Sequence, residues 1–127
     1  MIDINQIMLS FGMGIIGVTV IDVFGSITSR WFNYNYVYLS LLSFAVYTMI
    51  GYYTSRIATL NWALLNTCLV GIYDGTIGWK ISVVLNANLG KYKEGNLKMN
   101  STTRIIGMIM VGGVFGFLGF IIAKLLS

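Results

Sequence analysis

Four long apolar runs, separated by short polar stretches, cover most of the chain. They fall at about residues 7–28, 36–55, 59–80 and 104–126. Each is long enough for a spanning helix, which needs about 20 mainly apolar residues. The third pattern continues as helix to about Leu85. There is no proline, so any break inside a run has to rest on glycine. The pattern predicts an all-α membrane protein, a bundle of four transmembrane helices forming a single domain over residues 1–127.

Aromatic residues mark the ends of the runs. Trp31, Tyr34, Tyr36 and Tyr38 cluster after the first, Tyr52, Tyr53 and Trp62 flank the second turn, and Trp79 and Tyr92 flank the third loop. Trp and Tyr favour the headgroup level, where one end of the ring system is wet. The loops after the first and third runs share a side and hold Arg30, Lys80, Lys91, Lys93, Lys98 and Arg104; the other side holds Arg56 and Lys124. Basic residues collect on the cytoplasmic side. The expected topology therefore has both termini outside and a multi-pass chain in the cell membrane, the inner or plasma membrane of a bacterium. The opening residues hold Asp3 and no Lys or Arg, so the first run reads as a retained span rather than a signal peptide.

The third loop, residues 86–103, is the one sizeable polar stretch. Lys91, Lys93 and Lys98, with Arg104 just beyond, fit a patch for anionic lipid or a partner. The simpler reading is a solvated loop whose lysines set the topology.

Composition narrows the chemistry. Hydrophobic residues make up 57 % of the 127 and charged residues 9 %, against about 25 % charged in soluble domains. There is no histidine and a single cysteine, Cys68. An internal disulfide, a zinc-type site and the commonest general base are thereby excluded. No Walker or Rossmann glycine spacing occurs. No metal, no cofactor and no nucleic-acid partner is expected, and an enzyme is the weakest class.

The halves share a local pattern. Gly25-Ser26-Ile27 precedes Arg30 as Gly75-Thr76-Ile77 precedes Lys80. Ile50-Gly51-Tyr52 precedes Arg56 as Leu118-Gly119-Phe120 precedes Lys124. These matches read either as a duplicated helical hairpin, a parallel repeat with its axis along the membrane normal, or as chance.

Helices in lipid associate through small residues and hydrogen bonds. Such faces occur in every run: Thr19, Asp22, Ser26 and Ser29; Ser40, Ser43, Tyr47, Gly51 and Thr54; Thr67, Gly71, Asp74 and Gly78; and Gly112, Gly116, Gly119 and Ala123. They are expected to point inward, or to serve a homo-oligomer or a larger membrane complex.

Asp22 and Asp74 are the only acids within the runs. A charge in the bilayer is costly, so such residues face a bundle interior or water. Asp22 lies about 12 Å along its helix from Arg30, and Asp74 about 9 Å from Lys80. Three readings are open: a proton or cation site, a structural pair held by polar or basic groups of other helices, and a water-exposed acid near the interface. Asn66, Thr67 and Asp74 facing Thr19, Asp22 and Ser26 would form a polar path, or simple interhelical hydrogen bonding.

The expected function is that of a non-catalytic accessory, scaffold or assembly subunit of a membrane complex. The alternative is a small oligomeric transporter or channel for protons, ions or small solutes, working through Asp22 and Asp74. A holin-like membrane-perturbing protein ranks third.

Overall fold

The computed structural model describes residues 3–87 and 101–127, and these are helical with no strand. Helix α1 (Ile4–Trp31) opens at Asp3, whose Oδ1 accepts the Asn5 N–H at 3.0 Å. It closes where Asn33 takes a φ of 55°, a left-handed conformation that Asn tolerates. A single 3₁₀ turn (Tyr36–Leu39) leads into α2 (Ser40–Ile57). After two residues α3 (Leu60–Tyr73) begins. It runs through a π-helical segment (Asp74–Gly78) into α4 (Trp79–Val84), so that the three form one continuous helical rod. Helix α5 (Ser101–Leu125) completes the described elements.

Glycine determines how these helices meet. A Cβ on Gly51 would stand 2.7 Å from the Gly116 Cα, so α2 and α5 touch backbone to backbone there. Gly112 lies against the Thr67 carbonyl and Gly71 against that of Met108, where added Cβ atoms would stand at 2.5 Å. Gly119 meets the Tyr52 nitrogen at the same distance. Helix α5 is thus seated between α2 and α3, with backbones in close approach across small residues. The rings of Phe44 and Phe115 stack at 4.5 Å beside this crossing. Helix α1 packs on the opposite side, against α2 and the α3–α4 rod.

In this packing α2 and α3 lie together at the centre, with α1 and α5 on either side and no extensive contact between those two. A parallel repeat would relate the α2–α3 contact to an α1–α5 contact. The helix packing does not have that twofold.

Polarity is distributed inside out. Asp22, Ser26, Thr54, Asn66, Thr67 and Ser82 are buried, whereas Met8, Ile16, Phe24, Leu41, Met110 and Val114 are exposed. Two helices, Ile4–Trp31 and Thr102–Leu125, are long and apolar enough to cross a membrane. Only 28 % and 17 % of their apolar windows are buried, unlike the core helix of a soluble protein. The second and third predicted spans do not reach that standard. Helix α2 is diluted by Ser, Thr and Tyr, and α3 is cut at Tyr73 by the π segment.

Candidate functional site: a buried acid pair

The site is built where the rod changes from α to π geometry. In the π segment the Trp79 N–H reaches back to the Asp74 carbonyl, five residues away. The extra residue per turn shifts the side chains that follow, and such segments frequently occur at functional sites. Here the shift accompanies Asp74 and two buried glycines, Gly75 and Gly78.

Asp22 of α1 and Asp74 meet at Gly78. The two carboxyl groups face the same space above Gly78. A Cβ at position 78 would collide with Asp22 Oδ2 and stand 2.7 Å from Asp74 Oδ1. Only a glycine leaves room for both groups there. Asp22 is 2 % exposed, and its Oδ2 receives no N–H or O–H from the protein among the described residues.

The other carboxyl oxygens are held by tyrosines. The Tyr36 hydroxyl donates to Asp22 Oδ1, and the Tyr47 hydroxyl donates to Asp74 Oδ2. Tyr47 is completely buried in the core with Val18, Ile50 and Val70. Ser82, buried on α4, donates its Oγ hydrogen to the Gly78 carbonyl at 3.1 Å. Among the described residues no basic side chain reaches either acid. Pairing with Arg30 or Lys80, one of the expected arrangements, is therefore not made.

The remaining polar residues divide between the neighbourhood of the pair and a second cluster. Thr19 lies beside the pair, its Oγ1 2.7 Å from the Tyr73 hydroxyl and 2.7 Å from the Ile15 carbonyl that it bonds. Ser26 donates to the Asp22 carbonyl of its own helix. Asn66 does not join the acids. Its Nδ2 donates to the Ile7 carbonyl at 3.2 Å and to Thr54 Oγ1 at 3.1 Å, and Thr54 also meets Ser10 at 3.1 Å. Thr67 bonds back to the Ala63 carbonyl at 3.0 Å and lies under Gly116. A polar path through all six residues is not formed. The acid pair and the Asn66 cluster are separate, about 12 Å apart along the rod.

Arg104 sits on α5 and reaches the π segment. Its Nε donates to the Gly75 carbonyl at 2.8 Å, and its guanidinium lies 4.8 Å from the Trp79 ring centroid. It braces the site rather than extending a surface patch. Lys91, Lys93 and Lys98 lie outside the described residues.

Sequence reasoning did not assign Tyr36, Ser82 or Arg104 to this site. Tyr36 reads as an interfacial aromatic, and nothing in a residue pattern announces a π segment. Tyr47 and Gly78 stood in the expected inward faces, a signal for burial but not for the acid each would meet. Compared with known proteins, the chain matches no family profile, no curated protein and no solved structure, and what the site does has to be argued from its chemistry.

Proposed function

We propose that the chain crosses the membrane four times, with the turn after α1 on the cytoplasmic side, and that its acid pair is the working site of a small proton or monovalent-cation transporter or channel. One observation carries this reading: two acids from separate elements face each other, Asp22 buried and Asp74 half-buried, with no basic side chain against either among the described residues. The tyrosine hydroxyls on one oxygen of each acid are also what a structural pair would use, but two carboxyls brought together without a basic partner are expensive to hold. Intramembrane acids of this kind commonly mark ion pathways and proton relays. The inside-out polarity of the bundle supports the four-span arrangement, because α2 and the α3–α4 rod also turn Leu41, Met49, Leu65 and Val84 outward.

The test is flux into proteoliposomes containing the purified protein. Wild type is expected to carry protons or a monovalent cation, with Asp22→Asn and Asp74→Asn reduced to the level of empty vesicles. Equal flux in wild type and both variants would end the proposal.

A second reading is favoured by a different observation. Gly12 and Gly107 have nothing within 4 Å of an added Cβ. Small residues open on outer helix faces permit close approach of another helix, which fits an accessory subunit of a larger complex or a homo-oligomer. Stable co-purification of a partner in native membranes, together with no flux from the isolated chain, would favour this role.

A further inference from the structure

We infer that the acid pair is a one-proton site: a single proton shared between Asp22 Oδ2 and the Asp74 carboxyl is its ligand, and metal cations are excluded. As a statement about cargo this rests on the transport reading above; as a statement about occupancy it stands alone.

The donors and acceptors can be followed atom by atom. Tyr36 uses its hydroxyl proton on Asp22 Oδ1, and Tyr47 uses its own on Asp74 Oδ2. Asp22 Oδ2 and Asp74 Oδ1 remain, both facing the space above Gly78. A carboxyl oxygen is a donor only when protonated, so a proton placed between the two oxygens gives the donorless Asp22 Oδ2 a partner. Two carboxylates in such a place cannot both be ionised without strong repulsion. One proton satisfies the otherwise unpartnered Asp22 Oδ2 and removes that repulsion.

Among the described residues the surrounding elements bring no other charge against the pair. Around the pair α1 presents Asp22, the 3₁₀ turn Tyr36, α2 Tyr47, the π segment Asp74 and α4 Ser82. Arg104 of α5 approaches the same segment but directs its Nε to the Gly75 carbonyl. Tyr73 and Thr19 are bonded to each other.

A metal cation fits this donor set poorly. Hard cations gather about six or more oxygens at roughly 2.0–2.6 Å. Here the tyrosine hydroxyls aim their hydrogens at the carboxyls, which leaves Asp22 Oδ2 and Asp74 Oδ1 facing the space above Gly78, far short of such a shell. Uptake and release balance as a single transfer: the O–H bond of the pair breaks as the proton leaves to water or a carrier, and re-forms from the other side. The doubly ionised pair between these events carries the repulsion described above, offset only in part by the two tyrosine hydroxyls, so it is the short-lived state of the cycle.

Infrared difference spectroscopy of the protein in lipid vesicles reads this proton directly. Wild type is expected to show a protonated-carboxyl stretch that shifts in heavy water and is unchanged by sodium, lithium or potassium. Asparagine supplies an amide N–H where the proton would sit, so Asp22→Asn and Asp74→Asn should each fold and each lose the stretch. No such stretch in wild type, a stretch that survives in both variants, or one displaced by any of the three cations would overturn the inference. Vesicles without proton flux that retain the stretch would end the transport reading alone.

Discussion

At the scale of single residues, the hydroxyls of Tyr36 and Tyr47 separate a tolerable buried acid pair from an intolerable one. Each is a donor that no neighbour can replace, because the other polar groups nearby are already engaged. Removing one leaves a carboxyl oxygen unsatisfied, which costs about 1–3 kcal/mol. Tyr47→Phe keeps the ring volume in the Val18–Ile50–Val70 cluster and deletes only the hydroxyl. Its unfolding midpoint in detergent is expected to fall accordingly. Tyr36→Phe should fall less, since Tyr36 is only half-buried and water can replace the donor. The identity of the acids was legible in the sequence, because a carboxylate inside an apolar run stands out against its background. Their partners were not. A tyrosine at the start of a run serves equally as a headgroup anchor or as an inward donor, and only the orientation of the 3₁₀ turn decides between them.

At the scale of elements, glycine sets the spacing and Arg104 holds the irregular segment in place. Gly51→Ala would drive a methyl group into the Gly116 backbone, and backbone cannot yield as a side-chain tip does. A loss of about 1–3 kcal/mol is expected from such overpacking, whereas Gly12→Ala and Gly107→Ala, which point into open space, should be near neutral. Thermal unfolding of the three variants in one detergent makes the comparison. Arg104→Lys retains the charge but loses the planar guanidinium that bonds Gly75 and covers Trp79 at once. Faster hydrogen exchange at the amides of the π segment, with little change elsewhere, is the expected result. The helices were readable because long apolar runs admit few other structures in lipid. The π segment was not. One residue inserted into a helix leaves the composition untouched, and rotates every later side chain relative to the face that a regular repeat predicts. Asn66 and Asp74 end in separate clusters for a simpler reason: eight residues of regular helix put them about 12 Å apart along the rod, before the π segment takes effect.

At the scale of the whole molecule, the charge asymmetry and the inside-out polarity make one joint prediction about orientation. Phe32 and Thr59 are exposed residues in successive turns, at either end of the segment that contains α2. In a Cys68→Ala background, Thr59→Cys should react with a membrane-impermeant thiol reagent on intact cells. Phe32→Cys should react only after the membrane is opened. Labelling of both on intact cells would mean that α2 does not cross.

The groove that receives α5 has a consequence for how the molecule is made. Its walls are backbone carbonyls and glycines of α2 and α3, and α5 is synthesised after both. If the chain inserts as proposed, the earlier helices stand with that surface uncovered until Ser101–Leu125 is made, and only a few side chains such as Phe44 and Thr67 lie over it. A chain arrested before residue 101 would carry the complete acid pair without its Arg104 brace. It would also be open to the matching helix of a second copy, or to the proteases that recognise unassembled membrane segments. Of the described helices α5 is the last to be made, and the closest backbone contacts of the bundle wait for it.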